Sequence, residues 1–290
     1  MQAQDRRRYT APEGASALAY EEDGEPQPVA STSAVRLDGR QPSQVRPIYL
    51  QAGLVTGAAG SAYIEAGRTK LLCAVYGPKP TTPSAPFSPK ARLHVEVKFA
   101  PFASGSRRFV PGKDTEASAL AVTLQQSLVP ALILETLPKS QIDLFVTILE
   151  SDGWDGDVSI GVTAASVALA CAGISMRGLV TACSAVLPVK AQQAWLDPTR
   201  EEVRNAQCYL SLACVPAMGT VTNLKLAGEC PPAVLEETLT AAREVCALLH
   251  GAAQKALLAA TAAEENADGS RTRQNAEGTP HANQKYLIES

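Results

Sequence analysis

Three aspartates crowd one short run of the chain, Ser151-Asp152-Gly153-Trp154-Asp155-Gly156-Asp157. A second acidic run follows at Asp197-Pro198-Thr199-Arg200-Glu201-Glu202. Carboxylate oxygens at this density are the donors that hold Mg²⁺. A turn leading into a helix also presents backbone N–H groups to an anion. The plainer reading makes Asp155 or Asp157 a helix cap and Glu201-Glu202 a solvated turn. On residue types alone the plainer reading is the better one.

The elements around the first run are legible. Ile142 to Leu149 is an alternating β-branched and apolar run, as in a strand. Val158 to Ala172 is Ala-rich, with apolar residues at Val158, Val162, Ala165 and Leu169. The period changes from two to about 3.6 across the Gly/Asp turn, so a strand, a tight turn and a helix are predicted.

Other chemistry is not written in the chain. G-x-x-x-x-G-K-[ST], G-x-S-x-G and H-E-x-x-H do not occur. Gly53, Gly57 and Gly60 do not make G-x-G-x-x-G and read as hairpin glycines. Histidines stand only at His94, His250 and His281, and no C-x-x-C occurs, so zinc spacing is absent. The seven cysteines sit mostly in apolar runs and read as buried, reduced thiols. No metal and no cofactor is expected. The net charge of −3 gives no bulk sign of a dedicated nucleic-acid binder.

The N-terminus carries Arg6-Arg7-Arg8 with no apolar run behind it, which reads as no signal peptide. Ala117 to Leu134 and Val158 to Met176 lack charge. Polar residues and alanines dilute both, so buried core helices fit better than membrane spans.

In chain order, residues 1–34 are poor in bulky apolar side chains and are expected to be disordered. Strands are expected at Ile48-Tyr49-Leu50 and Ala62 to Glu65. Thr69 to Tyr76 reads as a central strand buried on both faces, ended by Gly77-Pro78. Arg92 to Phe99 alternates, leaving His94 on the solvent side. A helix should start at Asp114, bury Leu120, Leu124 and Leu128, and stop at Pro130. After a strand over Leu179 to Leu187, a hairpin joins Gln207–Val215 to Thr220–Leu226. A long helix then opens at Pro231-Pro232 and buries Leu235, Leu239, Ala242, Val245, Leu249 and Ala253. From Ala263 to residue 290 the polar composition predicts a disordered tail. Strands in runs with few helices argue α+β, with mixed sheets and helices packed on one side.

Several motifs together resemble the RNase PH family over residues 35 to about 258. They are Arg36-Leu37-Asp38-Gly39-Arg40 with Arg46-Pro47; Gly60-Ser61-Ala62-Tyr63; Gly67 to Pro78 with its G-x-T-K-L-L-C-A-V-x-G-P block; Asp152-Gly153; and Leu196-Asp197-Pro198-Thr199 with Glu201-Glu202. Within the family, Ala100-Pro101-Phe102-Ala103 leading into Arg107-Arg108, and Trp195 to Thr199, are similar to a ring subunit of the RNA exosome. The resemblance implies a duplicated β–α fold over residues 35–262, with halves near 35–178 and 179–262. It also implies a six-membered ring around a pore, shared with other RNase PH-like subunits and RNA-binding cap subunits. The places implied are nucleus, nucleolus and cytoplasm.

Active members of the family cleave RNA from its 3′ end with phosphate. They use an Arg in a Gly-Thr-Arg turn and two acids six residues apart. By position these fall on Gly156, Asp197 and Val203, so the resemblance implies that catalysis is lost. Asp155 and Asp157 reverse the charge of the turn, and no Lys or Arg on the turn itself compensates. Each such contact is worth about 4 kcal/mol at ~4 Å and a dielectric of ~20, before solvation. Two other readings stay open: an active phosphate-dependent exoribonuclease, with Arg200 or Arg204 supplying the phosphate ligand, and an interaction protein outside any exosome. Arg107, Arg108 and Lys113, in a Gly/Ser-rich loop, are the candidate RNA contacts.

Overall fold

The computed structural model describes residue 36 and residues 38–81, 87–104, 114–189 and 193–277. A five-stranded sheet holds β1 (Ile48–Ala52), β2 (Gly60–Ala66), β3 (Thr69–Pro80), β4 (Arg92–Phe99) and β5 (Ser140–Glu150), in the order β1-β2-β3-β5-β4. It is mixed, because β4 runs parallel to β5 and the other neighbours are antiparallel. A four-stranded antiparallel sheet holds β6 (Thr181–Pro188), β7 (Trp195–Leu196), β8 (Ala206–Val215) and β9 (Thr220–Gly228), in the order β7-β6-β8-β9.

Among the described residues four α-helices complete the architecture: α1 (Thr115–Leu128), α2 (Trp154–Cys171), α3 (Arg200–Arg204) and α4 (Pro232–Glu277). The Asp114 side chain accepts hydrogen bonds from the Glu116 and Ala117 amides and so caps α1. Leu120, Leu124 and Leu128 are fully buried beneath it, and Pro130 lies in the tight turn that follows. Helix α2 lies between the sheets. Its Val162, Ala165, Ala168 and Leu169 are fully buried in the main core, which also holds Ile64, Leu71 and Val75 from the first sheet and Val180 and Ala182 at the start of β6. That explains its Ala-rich composition: small side chains let both sheets approach.

Helix α4 covers the second sheet with Ala242, Val245 and Cys246. By length and composition Pro232–Ala262 is apolar enough to cross a membrane, with mean hydropathy 1.3. The expected stripe is only partly buried: Ala242, Val245, Cys246 and Ala253 are buried, Leu235, Leu239 and Leu249 are half-buried, and Leu248 and Leu258 on the other side are exposed.

The structure corrects four local readings. Strand β3 is buried on one face only: Thr69, Leu71, Cys73 and Val75 are buried, whereas Leu72 and Ala74 are half-buried and Tyr76 is exposed. The apolar run misled because, among the described residues, no helix covers the outward face of this sheet. Strand β3 also runs through the cis Gly77-Pro78 bond to Pro80, with an irregular register to β5 accommodating the proline. Gly60 is not a hairpin glycine but a point of close approach to α2. The backbone of α4 continues helical to Glu277, past Ala263, because Ala and Glu are strong helix formers and the segment has no proline.

Candidate functional site

The two acidic runs do meet. Helix α2 begins at Trp154, with Gly153 as its N-cap at φ +127° and no side-chain cap. Asp155, Gly156 and Asp157 therefore lie in the first turn of the helix rather than before it, which corrects the capping reading. Asp157 is buried and accepts a hydrogen bond from the Ser151 hydroxyl at 2.6 Å. The second run follows β7 and enters α3 at Arg200. Asp197 adopts φ +49°, and its carboxylate faces the end of β5 and the start of α2 through a shared arginine.

That arginine is Arg46, which the segment before β1 delivers. Its Nη2 and Nε donate to the two Asp197 oxygens at 2.6 and 2.9 Å. Its backbone amide donates to Asp197 at 2.8 Å, and its Nη1 donates to Asp152 at 3.0 Å. Arg40 adds a longer contact to Asp197 at 3.2 Å. Burial works against ionisation of Asp197, but the hydrogen bonds and charge of Arg46 outweigh it and hold the carboxyl below its usual range. For Asp152 burial is the larger effect, and it raises that carboxyl despite Arg46.

A second pair lies behind the first. Arg36 donates from Nε and Nη2 to both oxygens of Glu202 at 2.9 Å, with both side chains buried. It also donates to the carbonyls of Leu196 and Asp197 and lies 5.8 Å from the centre of the Trp195 ring. Glu202 closes a capping box on α3 through the Thr199 amide. The expectation of a solvated Glu201-Glu202 turn thus fails for Glu202, because a buried arginine claims it. Glu201 is exposed.

The charge-reversal reading is corrected as well. No cation lies on the turn itself, but Arg46 arrives from before β1. Arg68 and Arg200 also act on Asp152, and the Arg200 side chain packs on Gly153. Sequence reasoning missed Arg36, Arg40 and Arg46 as members of the site. The signal was there: three arginines in the Arg-x-Asp-Gly-Arg…Arg-Pro motif, in a segment with too little apolar content to be held any other way.

Gly156 is buried beside this cluster. A Cβ there would lie 3.4 Å from Arg46 Nη2 and 3.5 Å from the Thr69 hydroxyl. Val203 is half-buried and packs with Val186, Trp195 and Tyr209. Among the described residues no group of three or more His, Cys, Asp or Glu side chains is placed to hold a metal ion. The residues do not fit the metal that the family's chemistry implies. Asp197 has its oxygens committed to arginines, and Val203 offers no donor. Arg204 is exposed, and the expected RNA contacts Arg107, Arg108 and Lys113 lie outside the described residues. His94 is exposed on the outer face, as its alternation predicts.

The family model for the first domain of the 3′ exoribonuclease (RNase PH) family matches residues 44–175. The exosome complex component Rrp41 of Methanopyrus kandleri is 36% identical over 233 residues, covering 80% of this chain and 95% of that protein. The chain belongs to the RNase PH family. Another similar member is the human exosome complex component MTR3, 37% identical over 222 residues, covering 72% of this chain and 80% of that protein. The fold of this RNase PH-like chain also matches the crystal structure of rice Rrp46, with a TM-score of 0.66 at 22% identity, over 77% of this chain and 100% of that one.

Proposed function

We propose that the chain is a non-catalytic RNase PH-like subunit of the RNA exosome ring, serving 3′-to-5′ RNA processing and degradation through its interfaces and its basic loop. The exosome component names of its relatives support the assembly. One observation carries the absence of catalysis: where the family's second acid falls, Val203 packs into the Val186–Trp195–Tyr209 cluster. Proton transfer and metal placement both need a group there that ionises or coordinates. Gly156 offers no cation to an incoming phosphate, the service that matters most when a dianion meets a polyanion.

The surface suits a ring member. Edge strand β9 exposes Val221, Leu224 and Leu226, and the outward face of the first sheet exposes Tyr49 and Tyr76. Unpaired strand edges with apolar side chains are covered by a neighbour in a stable assembly. The partners would be other RNase PH-like ring subunits, RNA-binding cap subunits and RNA, in nucleus, nucleolus and cytoplasm.

The competing reading is an active phosphate-dependent exoribonuclease, and the packing of Arg200 on Gly153 is what favours it. Labelled single-stranded RNA with Mg²⁺, with and without inorganic phosphate, separates the two. The inactive subunit leaves RNA intact in both. Phosphate-dependent release of nucleoside diphosphates by the pure chain, lost in Asp197→Asn, would establish the enzyme instead.

The basic loop carries a separate expectation. In a reconstituted ring, Ala at Arg107, Arg108 and Lys113 together should weaken RNA binding. The slope of log affinity on log salt should fall by about 0.7 per lost phosphate contact on a single strand. An unchanged affinity and slope would remove these residues from the RNA path.

A further inference from the structure

Two thiols that the proposed function does not use come together at one end of the second sheet. Cys208 lies on β8, where it pairs with Gly228 of β9. The chain leaves β9 at Gly228 and enters α4 at Pro232, and Cys230 stands in that short connection. Side chains alternate along a strand, so Cys208 shares a face with Leu210 and Leu212, the face that α4 covers. Both cysteines line one small cleft together with Ala185, Leu226 and Leu235.

The two side chains face the same cleft, and the Cys230 thiol donates to the Pro231 carbonyl at 3.6 Å. Burial, with the nearby Cys230 thiol, pushes Cys208 up to about 11. Cys208 is only 4% exposed, whereas Cys230 is half-buried. Both are free. The arrangement places a thiol that solvent reaches beside a sheltered one, so an oxidant meets Cys230 first and Cys208 stands ready to resolve it. Cys214 and Cys246 provide an internal contrast. They too are neighbours, but Cys214 on β8 and Cys246 on α4 are both buried between strand and helix and closed to a soluble oxidant.

We propose that Cys208 and Cys230 form a peroxide-sensitive dithiol that closes to a disulfide, tying β8 to the start of α4. The Cys230 sulfur attacks one oxygen of a hydroperoxide, and the O–O bond breaks. The products are a sulfenic acid on Cys230 and the alcohol, or water for hydrogen peroxide. The Cys208 sulfur then attacks the Cys230 sulfur. The S–O bond breaks, and the hydroxyl leaves as water with the proton of Cys208. The two thiols are together oxidised by two electrons, and one peroxide is reduced.

The test uses the purified full-length chain, reduced and then titrated with hydrogen peroxide. Remaining thiols are trapped with N-ethylmaleimide under denaturing conditions, followed by intact mass and peptide mapping. Two of the seven thiols should escape alkylation, and a peptide joining Cys208 to Cys230 should appear and vanish on reduction. Cys230→Ser, a conservative change in the β9–α4 connection, should abolish the cross-linked peptide. The proposal is overturned if both thiols remain alkylated at peroxide concentrations that oxidise exposed methionine. It is equally overturned if the cross-link joins Cys214 to Cys246, or if Cys230 advances to sulfinic acid while Cys208 stays free.

Discussion

Replacing Glu202 with alanine is expected to cost the fold about 3–5 kcal/mol, because it strands a buried arginine. Arg36 gives both of its forward N–H donors to this carboxylate, and its side chain is 1% exposed. Asp38 approaches Arg36 only to 3.8 Å and is itself held by Arg40, so no second acid takes over. The same substitution opens the capping box of α3, which adds about 1 kcal/mol. Urea unfolding of the pure chain measures the loss as a lower midpoint at constant slope.

Two companion variants sharpen that result. Glu202→Gln keeps the shape and removes the charge, so it should recover only part of the loss. Arg36→Met with Glu202→Leu removes both charges. It should be milder than Glu202→Ala alone, although the Leu196 and Asp197 carbonyls then lose their donor. A Glu202→Ala cost below about 1 kcal/mol would mean that the pair is solvated and does not clasp the Arg36 segment to α3.

The neighbouring Arg46–Asp197 pair sets how the clasp responds to acid. The folded carboxyl of Asp197 titrates below its unfolded value, so its contribution is complete above about pH 4 and is lost as pH falls through the folded value. Asp152 works in the opposite direction, because burial raises its carboxyl. Its stability gain falls in a different window, as pH drops from the raised folded value towards about pH 4, so Asp152→Asn should remove that gain and leave the loss below about pH 4, read by urea unfolding across pH.

What the sequence made legible was local. Asp114 as a cap, the Leu120–Leu124–Leu128 stripe and the β8–β9 hairpin each follow from residues within one or two turns of one another. The clasp did not follow, because its partners are far apart in sequence: Arg36 and Glu202 are separated by 166 positions, Arg46 and Asp197 by 151. No period or cap rule links such residues. The exposed face of β3 was misread for a related reason. Leu72, Ala74 and Tyr76 are as apolar as a core strand, but burial depends on what covers the sheet, and nothing within the strand encodes that. Within the candidate site, the acids were visible as a cluster. The arginines that neutralise them were visible only as a motif, and Gly156 and Val203 were notable only for the residue types that they are not.

Gly60→Ala should destabilise the chain by about 3 kcal/mol or more, at or beyond the upper end for an overpacked site. A Cβ on Gly60 would stand 2.3 Å from the Ala172 amide nitrogen and 2.4 Å from the Ala168 carbonyl oxygen. Both are backbone atoms at the C-terminal end of α2, so no side chain can rotate away. Strand β2 would have to retreat from the helix that fills the core between the sheets, and Ala62 and Ile64, both fully buried, would retreat with it. Gly57→Ala in the same β1–β2 connection supplies the control. Nothing lies within 4 Å of its Cβ position, and its φ is not in the left-handed region. It should fall within about 0.5 kcal/mol of the parent, or gain slightly from a stiffer unfolded chain. Thermal or urea unfolding of the two variants side by side decides the point. Equal behaviour would mean that Gly60 serves the turn, as its place in sequence first implies. A large loss confined to Gly60→Ala would establish it as the contact that sets the spacing between β2 and α2, and hence the position of the Asp152–Asp157 turn at the other end of that helix.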